Sequence, residues 1–334
     1  LYETPFGHGR QVHNLPRHGV EKTKGTEMKK LILLAMMALS ATFAAAETYT
    51  FHIGVNDYPM AKDEKGKDVD NDLYGCVNDA NAMLKLGVDH FGVKKENTKL
   101  LLDGQATGTA FLDGVKWLLG KAKAGDQVVF SYSGHGAQVV DEETDEEDGK
   151  TELIVLADMT FVQDDFFAEI AKLFTLNGVN ATFVFDSCHS GGMSRKPGKI
   201  VVLNKSLGVV KAKSMVKPNM VQKAFAVRPR QIAPPVKAES VFLFASQEDK
   251  TSKDLSGMTD IPAHGIFTLL LLDLVQNNKE TPIKDLFDVM TGFLTQLNGQ
   301  IQEEAKKNNE VVEIFDQGPN FEASADRSKK RIIL

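Results

Sequence analysis

An α/β fold with a mostly parallel central sheet and helices on both faces is what this sequence predicts. Strand-length apolar runs alternate with helix-length amphipathic stretches in the order β, α, β, α, β, α, β. The runs are nearly continuous in their hydrophobicity, as suits strands buried on both sides. The chain has 334 residues, 42% of them hydrophobic, with a formal charge of -6, enough for one large domain or two small ones. That modest acidity does not suggest a nucleic-acid binder, which would normally show a basic domain or stripe.

Residues 28–46 read MKKLILLAMMALSATFAAA. Two lysines, an apolar run too short to span a bilayer securely and a small-residue end at Ala44, Ala45 and Ala46 follow one another as in a cleaved secretory signal. Met28 is then the natural start and Glu47 the mature N-terminus, and the protein is expected to be secreted or periplasmic with no stable membrane anchor. A buried hydrophobic helix is the alternative. Residues 1–27 have neither an initiator methionine nor apolar periodicity and read as a non-native or disordered extension, so their His8, His13 and His18 are not taken as a metal site. Export would expose Cys76 and Cys188 to oxidising conditions in which they could pair.

One domain is expected over 47–317. YTFHIGVNDY (49–58) is a first strand with polar residues at its end, and 63–72 is a polar excursion. Residues 73–91 form a helix whose start is marked by Asn78 or Asp79, with Ala82, Leu86 and Val88 as an incomplete apolar face. NTKLLLDGQAT is a short strand, 109–123 a helix, and QVVFSYSGHG (127–136) a strand that empties into Gly134, His135 and Gly136. An acidic loop from Asp141 leads to ELIVLAD as a strand, DDFFAEIAKLF as a helix and ATFVFDSCHSGG as a strand. Residues 193–238 carry 11 Lys or Arg and no acid, with scattered prolines, and read as an exposed loop insertion. SVFLFAS is the next strand, IFTLLLLDLVQ a helix, residues 282–307 a longer amphipathic helix or helix pair, and 318–334 a polar tail.

Chemistry in parallel sheets gathers beyond the C-terminal strand ends, and His135 and Cys188 both stand there. Cys188 follows Asp186 and Ser187 and precedes Gly191 and Gly192, a turn with little bulk that exposes a thiol; glycines on both sides of His135 let backbone N–H groups approach a ligand. An imidazole that takes the proton of a thiol yields a nucleophile able to attack an acyl carbon, and the N–H groups of Gly136 and Cys188 are the candidate oxyanion donors. His189 is the competing imidazole, but neighbouring strand residues face opposite ways. Packing or a disulfide are the other roles for the cysteine.

YGCVNDANAM (74–83), FSYSGHGAQ (130–138), DEEDG (145–149) and FDSCHSGG (185–192) resemble, in order, the signatures of the metacaspases, caspase-fold cysteine peptidases of clan CD, and specifically a bacterial secreted member. The likeness runs from 49 to about 317. It implies a caspase-like α/β/α sandwich, a His135–Cys188 dyad, monomers, and protein or peptide substrates cut after Arg or Lys. The family's acidic specificity pocket falls on Asp79 and Asp186, with Ser133 as a supporting polar group. A carboxylate two residues before the nucleophile would pair with a basic side chain and repel an acidic one. Taken alone, Asp79 reads equally as a helix cap.

The resemblance also implies calcium as an activator, with Glu152, Asp164 and Asp165 as hard oxygen ligands, while Thr151 stands where the family has an acid. The acidic run from Asp141 to Asp148 by itself reads as a solvated loop. Self-processing in the basic insertion is a further expectation, with Arg228 and Arg230 as first candidates. The region ASQEDKTS (245–252) resembles the strand end that lines the family's substrate cleft. A caspase-fold binding protein with little turnover is the competing reading.

Overall fold

The computed structural model describes residues 46–62, 65–140, 149–188, 201–211, 214–225, 237–246, 252–256, 262–278, 280–308 and 317–332. In chain order they form β1 (Thr48–Gly54), β2 (Ala61–Lys62), β3 (Asp68–Val69), α1 (Cys76–Phe91), β4 (Thr98–Leu102), α2 (Gly108–Lys121), β5 (Gln127–Ser133) and β6 (Gly136–Val140). There follow β7 (Lys150–Val155), β8 (Thr160–Gln163), α3 (Asp164–Leu176), β9 (Asn180–Asp186), β10 (Val201–Asn204), β11 (Ser206–Val209), β12 (Ser214–Val216) and α4 (Met220–Phe225). The chain ends with β13 (Ser240–Phe244), β14 (Lys253–Ser256), β15 (His264–Gly265), α5 (Ile266–Asn277), α6 (Ile283–Asn308), β16 (Asn320–Glu322) and α7 (Ala325–Ser328).

Six strands make the central sheet in the order β16-β13-β9-β5-β1-β4, and all pair in parallel except β16. Alternation along each strand sends side chains to opposite faces. Phe51, Phe130 and Phe183 go to one face, where Phe111 and Val115 of α2 and Phe166, Phe167 and Phe174 of α3 cover them. Val129, Val184, Val241 and Leu243 go to the other, under Met83 and Leu86 of α1, Phe267 and Leu271 of α5, and Leu286 and Met290 of α6. Each fully buried side chain of this size contributes about 1.5–3 kcal/mol. The expected α/β/α sandwich is therefore the observed architecture.

Several elements differ from expectation. ELIVLAD belongs to a separate sheet, order β11-β6-β7-β8-β12, in which β6, β7 and β8 run antiparallel. Hairpin-linked strands that are buried read much like parallel ones in sequence, which is why the run looked like part of the central sheet. Helix α1 begins at Cys76, with Gly75 in the cap position and no side-chain cap, so Asp79 is not the cap. Of the two readings of residues 282–307, the single helix is the one observed, as α6, while Pro282 stands outside it in a bridge to Arg331.

The basic insertion is not simply an exposed loop. Its first half holds β10 antiparallel to β14, β11 beside β6 and β12 beside β8, and Lys205 between the first two is fully buried. Partner strands far away in sequence override its loop-like composition. The polar tail likewise supplies β16 to the sheet edge, and Ile332 is buried. The expected signal at 28–46 and the extension before it lie outside the described residues; among those described, no helix is long and apolar enough to cross a membrane.

Candidate active site

Strand register fixes the site's frame. Ser133 at the end of β5 pairs with Asp186 at the end of β9, so both chains leave the sheet side by side, one towards His135 and the other towards Cys188. The N–H of Gly134 donates to the Asp186 carbonyl at 3.3 Å and ties the two exits together.

His135 is held by its backbone and by one ring nitrogen. Its N–H donates to the Tyr58 hydroxyl at 2.9 Å, its carbonyl accepts from the Tyr132 hydroxyl at 2.7 Å, and the Tyr58 ring packs on the imidazole at 4.7 Å between centroids. Nε2 lies 2.6 Å from the Asn71 carbonyl. A carbonyl only accepts, so Nε2 carries the proton and the buried Nδ1, which has no hydrogen-bond partner, keeps its lone pair. Burial pushes the imidazole down to about 4, so it is neutral at pH 7. Asn71, in the polar excursion, is a site residue the sequence did not single out.

Cys188 is fully buried. Its Sγ faces the Ser252 carbonyl at 3.8 Å, and burial pushes the thiol up to about 12. It does not bond to Cys76: both cysteines are free. At pH 8 about one Cys188 thiol in ten thousand is ionised, against roughly a quarter for an ordinary cysteine. Alkylation of the intact chain by iodoacetamide at pH 8, followed by peptide mapping, is expected to run at least about a hundredfold slower at Cys188 than at a free cysteine, and to be still accelerating, with no plateau, at about pH 10. Modification at the free-cysteine rate would show that the thiol is not covered in solution.

The cover is the chain itself. The Lys205 carbonyl accepts from the N–H of Gly136 at 2.9 Å and from the N–H of Cys188 at 3.1 Å. The Lys205 N–H donates to the Ser252 carbonyl at 3.1 Å, extending the β10–β14 ladder past Asn204. Meanwhile Nζ of Lys205 sits 3.1 Å from Asp79 Oδ2, 3.1 Å from Asp186 Oδ1 and 2.8 Å from Ser133 Oγ. Gly136, Cys188, Asp79, Ser133 and Asp186 thus all meet one residue. Arg228 and Arg230 lie outside the described residues. Sequence inspection missed Lys205; its one signal was a lone cation inside the apolar run VVLNKSLGVV.

The pocket is built to hold two carboxylates as acceptors. Asp79 Oδ2 accepts from Ser133 Oγ at 2.6 Å, while its Oδ1 lies 2.8 Å from His264 Nδ1 and 3.1 Å from the N–H of Gly265. Asp186 Oδ1 accepts from Ser252 Oγ at 2.6 Å, and Oδ2 from the N–H and hydroxyl of Thr268 at 3.0 and 2.7 Å. Gly265 is demanded by this crowding, since a Cβ there would come within 2.1 Å of Asp186 Oδ2. Burial alone would raise the Asp79 carboxyl, but the Lys205 ammonium and the bonds from His264 and Ser133 hold it below the ordinary range. Burial would lower the Lys205 ammonium, yet Asp186 foremost, with Cys76, Asp79 and Asp254, holds it well above its usual value. Ser252, Asp254, His264 and Thr268 come from the chain beyond the insertion; Ser252 closes the ASQEDKTS stretch that the sequence pointed to, while Asp254, His264 and Thr268 carry no motif of their own.

Glu152, Asp164 and Asp165 lie away from this pocket's contacts. Gln138 Nε2 donates to Glu152 Oε1 at 3.0 Å. Asp164 is exposed at the start of α3; the partial cover of its carboxyl and then the charges of Asp165 and Glu152 raise it above the ordinary carboxylate range. Among the described residues no three His, Cys, Asp or Glu side chains converge as a metal centre; the acidic run 141–148 is outside them.

Comparison with known proteins follows the same lines. Residues 49–197 match the family model for the metacaspase, peptidase C14 domain. The chain is 35% identical over 156 residues to Metacaspase-1 of Schizosaccharomyces pombe, covering 44% of this chain and 36% of that one. It is 38% identical over 147 residues to Metacaspase-7 of Arabidopsis thaliana, 42% and 34% of the two chains. With Metacaspase-1A of Neurospora crassa the identity is 28% over 228 residues, 65% and 47%. This chain therefore spans between a third and a half of the length of these relatives. A solved protein structure from Geobacter sulfurreducens superposes with a TM-score of 0.54 at 21% identity, over 85% of this chain and 97% of that one, which shows a shared fold. The strand-end geometry and these matches agree: residues 49–197 carry a metacaspase, peptidase C14 domain, homologous to those of the fungal and plant metacaspases.

Proposed function

We propose that the protein is a cysteine endopeptidase that cleaves after Arg or Lys, and that the described state is its latent form. The observation that carries this reading is Lys205, whose carbonyl accepts from the Gly136 and Cys188 N–H groups while its ammonium lies between Asp79 and Asp186. That is how a residue whose own peptide bond is about to be attacked would be held. The bond so presented is Lys205–Ser206, and self-processing there would free the pocket for substrates.

The chemistry follows from the groups in hand. His135 Nδ1 takes the thiol proton, and the Cys188 sulfur adds to the carbonyl carbon. The oxyanion forms against the Gly136 and Cys188 N–H donors. Collapse of the adduct breaks the C–N bond, His135 returns the proton to the leaving amine, and a water deprotonated by His135 then hydrolyses the thioester. The Asn71 carbonyl keeps Nε2 as the protonated nitrogen throughout, a role a carbonyl performs without itself changing charge.

Calcium enters the proposal only as an activator remote from these steps. The mutual repulsion of Glu152, Asp164 and Asp165 is what a hard cation would relieve. The test is turnover of fluorogenic peptides ending in Arg, Lys or Asp by protein starting at Glu47, with and without calcium and reductant, beside Cys188→Ala. Cleavage after Arg and Lys, absent from the variant, is expected, with calcium raising the rate. Cleavage after Asp, or turnover that survives in Cys188→Ala, would sink the reading.

A further inference from the structure

An acceptor beside the pocket has no donor. Asp254, on β14, is 1% exposed. Its Oδ2 accepts from the N–H groups of Tyr74 at 2.6 Å and Gly75 at 3.1 Å, which anchors the start of α1, the helix that carries Asp79. Its Oδ1 is buried with no hydrogen-bond partner. That oxygen packs against the backbone of Gly75, where a Cβ would come within 2.2 Å of it, and Asp254 is the register partner of Gly265, whose own Cβ would come within 2.3 Å of Lys205 Nζ, so the carboxyl stands at the pocket wall, where its charge acts on the ammonium. A carboxyl oxygen left unpaired in the interior is costly, and burial raises the Asp254 carboxyl above its ordinary range against the opposing pull of the Lys205 ammonium, so this oxygen lacks a donor that a bound group could supply.

A count of donors and acceptors supplies one. The Lys205 ammonium has three N–H donors, and Asp79 Oδ2, Asp186 Oδ1 and Ser133 Oγ surround it. The other oxygens of those carboxylates already have donors: His264 and Gly265 at Asp79 Oδ1, Thr268 at Asp186 Oδ2. A lysine is therefore fully matched without Asp254. An arginine brings five donors spread across a wider plane, and the pocket has one unengaged carboxylate oxygen left to meet them.

We infer that Asp254 is a specificity-determining residue, the third carboxylate of the pocket, which gives substrates with arginine at the cleavage position their advantage over those with lysine. The inference rests on the peptidase reading above and sharpens it. It divides the pocket's work: Asp79 and Asp186 select a cation, and Asp254 reads which cation it is.

Two measurements test it. In the first, kcat/KM is compared for a peptide pair that differs only in Arg or Lys before the scissile bond, on the processed wild-type enzyme and on Asp254→Asn. The wild type is expected to favour arginine about tenfold, as one extra charge-assisted hydrogen bond would. In Asp254→Asn the ratio should fall towards one, chiefly through a higher KM for the arginyl peptide. Equal rates on the two peptides in the wild type, or an unchanged ratio in the variant, would overturn the inference. A loss equal for both peptides would reduce Asp254 to an anchor of α1.

The second needs no turnover, so it decides the matter even if the peptidase reading fails. In uncleavable Cys188→Ala protein, Lys205→Arg is introduced with Asp254 present and with Asp254→Glu, which keeps the charge but shifts it by one methylene. Arginine should raise the melting temperature by about 3 °C beside Asp254 and give no such gain beside glutamate. The same change in both backgrounds would overturn the proposal.

Discussion

Asparagine in place of Asp186 is expected to lower kcat/KM for arginyl and lysyl peptides by roughly 10²–10⁴-fold, the equivalent of about 3–5 kcal/mol for breaking a buried ion pair by removing one partner. Oδ1 of Asp186 faces the bound cation at 3.1 Å and accepts from Ser252, while Oδ2 accepts twice from Thr268. An amide has one oxygen for these duties, and its NH₂ must turn either towards the cation or towards the Thr268 donors. Both arrangements oppose like polarity in a place without water. Steady-state kinetics on the processed enzyme would measure the loss, and unchanged kcat/KM would show that Asp186 does not bind the substrate cation. Peptides with a neutral residue at that position should lose much less, which separates a pocket defect from a damaged nucleophile two residues away.

Glutamine in place of Lys205 should have two linked effects. The chain is expected to stay uncut between residues 205 and 206, because a neutral side chain does not match the Asp79–Asp186 pair. The intact protein should also be less stable by about 3–5 kcal/mol at neutral pH, since two buried carboxylates are left without their cation. The sign of the pH dependence is diagnostic. Without the ammonium, burial raises the Asp79 carboxyl above its unfolded value, so the folded state binds a proton more readily than the unfolded one and gains stability as the pH falls. The deficit relative to wild type should therefore shrink between about pH 8 and about pH 5. Urea melts at the two pH values with a gel of the intact chain would check both effects. Cleavage at the same bond with undiminished stability would mean that Lys205 does not occupy the pocket in solution.

Much of the central sheet was legible in the sequence because buried parallel strands leave long apolar runs and their helices leave periodic faces. The strand-end positions of His135 and Cys188 were legible for the same reason. The second sheet was not. Its strands β6, β8, β11 and β12 are short, and residues such as Ser206 and Gly208 give no β signal until a neighbour hydrogen-bonds them. The insertion misled most, because its lysines suggested a solvated surface whereas one of them is wholly buried. Composition describes a segment's average, and Lys205 is the exception within it.

By itself the sequence determined which chemistry was available: a thiol and an imidazole each just beyond a strand end, on one edge of the sheet, with Asp186 beside the thiol. These depend on residue type and on local periodicity, which the chain carries residue by residue. Only the tertiary structure decided what those groups face. Asn71 orients the imidazole, Ser252, His264 and Thr268 hold the pocket carboxylates, and Lys205 fills the pocket, all across separations of tens to nearly two hundred residues. Such contacts are set by buried charge finding its partner in the folded chain, where leaving a carboxylate unpaired costs far more than it does in water.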